Sequence, residues 1–166
     1  MKQRILSILV DNSSGALTRV SGLFARRGYN IDSLTVGVTA DPKYSRMTVV
    51  ASGADSVLEQ ITKQLSKLVD VRDIKVLKPD KSVTRELIMV KVRADATQRQ
   101  DIMTIAEIYK ARLVDVDPES VIVEVTGTQN KLDAILTLLS EFEILELART
   151  GLTGLSRGTK DVRYLD

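Results

Sequence analysis

One order of strands and helices is written twice along this chain. In the first pass, Arg4 to Val10 is apolar and β-branched, as a strand should be. From Ala16 to Arg27, Leu17, Val20 and Phe24 recur at helical spacing, with Leu23 widening the stripe. Gly28 follows two arginines, which suits a helix C-terminus closed by a left-handed glycine. Ile31 to Val38 and Arg46 to Ala51 read as strands around the loop TADPKYS. Val57, Ile61, Leu65 and Leu68 mark a second helix, and Val71 to Leu77 a fourth strand. In the second pass Leu87 to Val92 is a strand, and Ile102, Ile105, Ile108 and Tyr109 mark a helix. Leu113 to Val116 and Val121 to Val125 are strands around the turn DPES. Leu132, Ile135, Leu136 and Leu139 make a helix, and Ile144 to Leu147 a closing strand.

Both passes read β-α-β-β-α-β, the split βαβ pattern of ferredoxin-like folds. Their second halves align without gaps: VVASGADSVLEQITKQL sits beside VEVTGTQNKLDAILTLL. Gly53 matches Gly127, Leu58 matches Leu132, Ile61 matches Ile135 and Leu65 matches Leu139. Two units fall short of the three or more that a solenoid needs, so the expectation is duplicated domains. The fold class expected is α+β, with two ferredoxin-like βαββαβ domains in tandem. The polar, proline-bearing KPDKSVTRE interrupts the apolar rhythm. It sets the expected boundaries: a first domain over 1–78, a linker over 79–85, and a second domain over 86–166 with a tail from about residue 151.

Composition narrows the chemistry. Hydrophobic residues are 43% and aromatic ones 4%, so the cores must be built from Val, Ile and Leu. There is no Cys, His or Trp. A disulfide framework, a thiolate nucleophile and a soft-metal site are therefore excluded, and the commonest general base is missing. A metal chaperone on this fold needs Cys or His, and an RNA-recognition module needs aromatics on its strands. An enzyme acting alone needs an acid–base pair or nucleophile in a cleft; Asp115 and Asp117 beside Lys110 read instead as turn residues and surface charges. A net charge of +2 implies no pull toward nucleic acid or anionic membrane. No apolar run approaches the roughly 20 residues that span a bilayer. ILSILV is too short for a signal-peptide core and lacks a small-residue cleavage site, so the expected location is cytoplasmic.

The stretch DNSSGALTRVSGLFARRGYNIDSL (Asp11 to Leu34) joins these elements with unusual polar ends. A helix start carries unpaired backbone N–H groups, which favour a carboxylate. Gly15 has no Cβ, so a small ligand can approach the main chain, and Asn12 offers both a donor and an acceptor. Ala16 and Leu17 can line an apolar wall. Such a site suits a small amino acid. Plain helix capping by Asp, Asn and Ser accounts for the same spacing. GYN beyond the helix likewise fits a C-cap and turn, since Asn tolerates positive φ.

LVDNSSGALTRVSGLFARRGYNIDSLTV, with SRMTVV, LEQITKQLSKLVDV and RELIMVKV, resembles the N-terminal ACT domain of the small regulatory subunit of acetolactate synthase (acetohydroxyacid synthase). KLDAILTLL and ELARTGLTGLSRG resemble the same family's C-terminal domain. Residues 94–125 match least, and TKDVRYLD reads as a variable tail. The resemblance implies a non-catalytic partner, without cofactors of its own, of a separate large catalytic subunit. That subunit holds thiamine diphosphate, Mg and FAD, and condenses two 2-ketoacids on the route to valine, leucine and isoleucine. The small subunit raises its activity and confers feedback inhibition, usually by valine, with leucine or isoleucine as other effectors. ACT domains of the family pair across a homodimer with the amino acid between them. By position, Asn12, Gly15, Ala16 and Leu17 would hold the effector from one chain, and Asn30 and Ile31 from the other. Ser13 and Ser14 replace a more acidic version of the loop. An ACT-domain sensor serving a different client enzyme is the alternative. Gly151, Gly154 and Gly158 with Arg149 and Arg157 fit either a docking or phosphate-contacting loop or a flexible tail.

Overall fold

Alternation along the first strand decides how the first half folds. In β1 (Lys2–Asp11), Leu6, Ile8 and Val10 face one way and Ile5, Ser7 and Leu9 the other. The first set meets Met47, Val49 and Ala51 of β3 (Tyr44–Gly53), paired antiparallel with β1. Over this face lie α1 (Ala16–Arg26) and α2 (Asp55–Leu65), which bury Val20, Leu23 and Phe24, and Leu58, Ile61 and Leu65. β2 (Asn30–Val38) and β4 (Val71–Val76) complete a four-stranded sheet in the order β2-β3-β1-β4.

The second half repeats the arrangement with its own core. β5 (Ser82–Arg93), α3 (Ala96–Ile108), β6 (Arg112–Asp117), β7 (Ser120–Gly127), α4 (Gln129–Leu139) and β8 (Ile144–Arg149) follow in turn. The strand order β6-β7-β5-β8 is the first order repeated. Ile88, Val90 and Val92 pack with Val121, Val123 and Val125 beneath Ile102, Leu132, Ile135 and Leu139. Two ferredoxin-like βαββαβ units in tandem are therefore present, with cores of Val, Ile and Leu. Asp115 and Asp117 are exposed on β6.

This computed structural model describes residues 2–160. Among them, no helix is long and apolar enough to cross a membrane. Three findings depart from the sequence reading. First, the stretch expected as a linker over 79–85 is regular structure: a 3-10 turn at Pro79–Lys81, then β5 from Ser82. Its polar groups bond locally, Ser82 Oγ donating to the Lys78 carbonyl (2.6 Å) and Lys81 N to the same oxygen (3.0 Å).

Second, the second unit ends at Gly151, and the segment expected as a tail returns to the first unit. Leu152 is buried; its N–H donates to Ser33 Oγ (2.9 Å) and its carbonyl accepts from Thr35 Oγ1 (3.1 Å). A short strand, β9 (Thr153–Ser156), then pairs with β5, and Arg157 N donates to the Lys81 carbonyl (2.8 Å). Gly154 makes this seating possible, because a Cβ there would stand 2.7 Å from Thr84 Cγ2 and 2.9 Å from the Val83 carbonyl. The flexible-tail reading fails because the first sheet has a second face, carrying Ser7, Leu9, Thr48 and Val50, that its own helices leave open. Residues 161–166 of TKDVRYLD lie outside the described residues.

Third, Leu17 stands outside the core stripe. It is 45% exposed, and Ala16 takes the buried position one turn before Val20.

Candidate functional site

The loop between β1 and α1 is built around Gly15, whose φ of 88° is a left-handed value that suits glycine. No side chain caps the helix. Ala16 N reaches the Ser13 carbonyl (3.3 Å) and Arg19 N the Gly15 carbonyl (2.9 Å). The amides of Leu17 and Thr18 have no partner among the described residues. Plain capping is therefore not what the Asn and Ser side chains do here.

Those side chains tie the loop to its surroundings instead. Asn12 donates from Nδ2 to the Pro42 carbonyl (2.9 Å) and from its backbone N to the Lys43 carbonyl (2.7 Å), which binds the loop to the β2–β3 connection. Its Oδ1 is left as an acceptor. Ser13 Oγ lies 3.4 Å from Asp70 Oδ1. Arg19 grips both Asp70 oxygens, Nη2 donating to Oδ1 at 2.9 Å and Nε to Oδ2, and also donates to the Ser14 carbonyl (3.3 Å). Asp70 is buried, and its carbonyl accepts from Asp11 N (2.8 Å). The hydrogen bond from Arg19 chiefly, then its charge and Ser13, hold the Asp70 carboxyl below the usual carboxylate range against the cost of burial. Asp11 in turn takes a two-pronged grip from Arg72 (2.7 and 2.9 Å). The helix start is thus tied down by hydrogen bonds and ion pairs that leave its first two free amides unused.

Asn30 and Ile31 open β2. Ile31 is half-buried against the first core, while Asn30 is exposed. Asn30 Nδ2 donates to Asp32 Oδ1 (2.6 Å), so its Oδ1 too is left as an acceptor. Asp32 is the extra residue where the β2–β3 register slips between Ile31 and Ser33. It also accepts from Ser52 Oγ and from Gln3 Nε2 (3.2 Å). These bonds, Ser52's first, keep its carboxyl below its ordinary value.

A single chain does not bring the two groups together. Asp11 pairs with Tyr44 at one end of β3, and Asn30 pairs with Ser52 at the other. Eight residue steps of strand separate them, about 26 Å at the usual rise. No single amino acid bridges that gap. Arg19, Asp70 and Asp32 went unseen in the sequence. Arg19 follows Gly15 by one helical turn, but Asp70 and Ser52 arrive from distant loops and strands without a local signal.

Two family models match this chain. One, for the "AHAS small subunit-like ACT domain", covers residues 6–73; the other, for the "Small subunit of acetolactate synthase", covers residues 85–158. The chain belongs to the acetolactate synthase small-subunit family. The probable acetolactate synthase small subunit of Methanothermobacter thermautotrophicus is 52% identical over 157 residues, 94% of each chain. The isozyme 3 small subunit of Escherichia coli is 48% identical over 162 residues, 97% of this chain and 99% of that one. The crystal structure of the acetolactate synthase small subunit from Thermotoga maritima superposes with a TM-score of 0.89 at 38% identity, covering 96% and 99%. As a regulatory small subunit, the chain carries all six candidate residues inside its ACT-domain match, and β9 inside its C-terminal match.

Proposed function

We propose that this chain partners the large catalytic subunit of acetolactate synthase, raises its activity and confers feedback inhibition by valine. Thiamine diphosphate, Mg and FAD belong to the large subunit, so the chemistry of condensation is not this chain's, and the complex works in the cytoplasm. The observation that carries the effector reading is the pair of free amides, Leu17 and Thr18, just after a left-handed glycine. A valine carboxylate satisfies both amides and lies at the positive end of α1. Its ammonium takes the free Oδ1 atoms of Asn12 and of a neighbour's Asn30. Its isopropyl group rests on Leu17 and the neighbour's Ile31, with Ala16 holding the helix start close to the sheet.

A homodimer completes the site. β2 is a sheet edge, so its outward backbone groups are open to a second copy. Two β2 edges paired antiparallel about a twofold axis set Asn30 of one chain beside the Val38 end of the other. Val38 lies opposite Ser45, next to Tyr44 and hence beside the other chain's Asp11 and its loop. The 26 Å gap within one chain closes between two, and symmetry yields two equivalent pockets. Valine then shifts how the ACT domains lie against each other, and a coupling of about 1–3 kcal/mol with the large subunit gives several-fold inhibition.

Isothermal titration of valine into the full chain tests this reading. Binding is expected, with Asn12→Ala abolishing both the heat and the inhibition of the reconstituted enzyme while activation persists. No heat with valine, leucine or isoleucine, or an Asn12→Ala variant still fully inhibited, would overturn it.

A further inference from the structure

We propose that the face of the first sheet turned away from its helices holds a second binding site, for a small phosphate-class polyanion, between β4, the Pro79–Lys81 turn and β9. Two adjoining cavities of about 240 and 380 Å³ open there and share Lys75, Leu77 and Ser156. The smaller adds Ser7 and Arg46, and the larger adds Lys78 and Lys81. Four cations therefore converge on one continuous space whose lining includes no carboxylate.

What sets these cations apart is that they converge on one space with no acid among them. Arg19, Arg72 and Arg149 each answer an acid: Asp70, Asp11 and Glu86. Among the described residues, none of Arg46, Lys75, Lys78 and Lys81 forms an ion pair. Gathering unneutralised like charges is unfavourable unless an anion offsets them.

Arg46 is also aimed. Its Nη1 donates to Ser7 Oγ (2.7 Å), and Ser7 is 2% exposed. With its oxygen accepting from Arg46, the Ser7 hydroxyl keeps its own proton to donate. The remaining guanidinium donors form a planar fork that matches two oxygens of one phosphate, while the three lysines act as point charges around it. Four positive charges exceed what a zwitterionic amino acid answers, so this site differs in chemistry from the amide-lined effector loop. It lies on the opposite face of the sheet from α1, on the side where Ser7 and Arg46 alternate with the core residues Ile8 and Met47.

β9 completes the site. Ser156 and Gly158 line it only because residues 152–158 fold back onto the first unit. The glycine–arginine segment singled out in the sequence thereby gains a role: it walls the site, while Arg149 is occupied by Glu86 (2.9 Å).

Titration of inorganic diphosphate into the full chain, followed by calorimetry and by 31P NMR at low ionic strength, tests the proposal. Saturable binding with a dissociation constant of about 1 mM or tighter is expected, unaffected in stoichiometry by saturating valine. Each of Arg46→Gln, Lys75→Gln and Lys81→Gln should weaken it by about tenfold, the scale of one lost charge-assisted hydrogen bond. Lys81 is exposed, so its variant tests the site even where a substitution at Arg46 disturbs β3. Citrate, a polyanion without phosphate, should bind at least about tenfold more weakly. Non-saturating behaviour, citrate binding equal to diphosphate, or variants indistinguishable from the parent would each overturn the assignment.

Discussion

Replacing Gly15 with alanine tests how the helix start is held. Its φ of 88° places a β-carbon in the left-handed region, at a cost of about 1–2 kcal/mol. That carbon would lie 2.9 Å from Arg19 Nη1, closer than real contacts allow. A free arginine would swing away, but this one is held by both oxygens of Asp70 and by the Ser14 carbonyl, so the clash adds to the backbone strain. The expected destabilisation of the first unit is about 2 kcal/mol. With a urea m-value near 2 kcal/mol/M, the midpoint falls by about 1 M. Gly22→Ala is the internal control. It lies in the same helix, its Cβ would meet nothing within 4 Å, and its φ is not left-handed. It should stabilise by about 0.5–1 kcal/mol, as Gly→Ala does inside helices. Far-UV circular dichroism across a urea gradient reads both variants. In the reconstituted enzyme Gly15→Ala should lose valine inhibition and Gly22→Ala keep it. A Gly15→Ala midpoint equal to the parent's, or raised like that of Gly22→Ala, would refute the reasoning.

Asp70 provides the pH dependence. Its folded pKa is depressed, so its contribution to stability is present above the unfolded value of about 3.9 and is lost as pH falls through the folded value. Urea midpoints measured from pH 7 downward should decline below about pH 4, and Asp70→Asn should flatten that limb while lowering stability at neutral pH. Gly154→Ala should lift β9 off the Val83 carbonyl at a cost of about 1–3 kcal/mol, visible as faster hydrogen exchange at the Arg157 amide. Unchanged exchange there would mean that the strand is seated some other way. Asp32→Ala removes the acceptor that orients Asn30. It should weaken valine inhibition by about tenfold with little change in urea midpoint, whereas Asp32→Glu should restore most of the response. Equal inhibition in all three chains would remove Asp32 from the site.

Much of the architecture was open to inspection in the order of residues. Leu58, Ile61 and Leu65, and their counterparts Leu132, Ile135 and Leu139, recur with the helical period, and all six are buried. Periodicity is local, so it survives reading without coordinates. Gly28, placed by its two preceding arginines, does take a left-handed φ of 69°. The misreadings have the opposite character. Leu17 fits the helical stripe, but which side of the first turn meets the sheet depends on where the helix lies, and Ala16 won. The polar run after Lys78 looked like linker because its hydrogen bonds close over three or four residues, a pattern that marks turns and loops alike.

Hydrophobic period, turn glycines and the absence of Cys and His therefore determined the twofold ferredoxin-like plan, the make-up of both cores and the chemistries this chain forgoes, because each acts within a few residues of itself. Only the tertiary structure decided that Asp70 would anchor Arg19, that Asp32 would hold Asn30, and that the last described strand would cover the first unit's sheet. Those outcomes rest on groups separated by 51 residues or more in two of the three ties (Arg19 to Asp70, and Ser33 to Leu152), and backbone order alone does not say which distant polar group will meet which. The unneutralised cations beside β9 belong to the same class: their charges are written in the chain, and their convergence is a product of the fold.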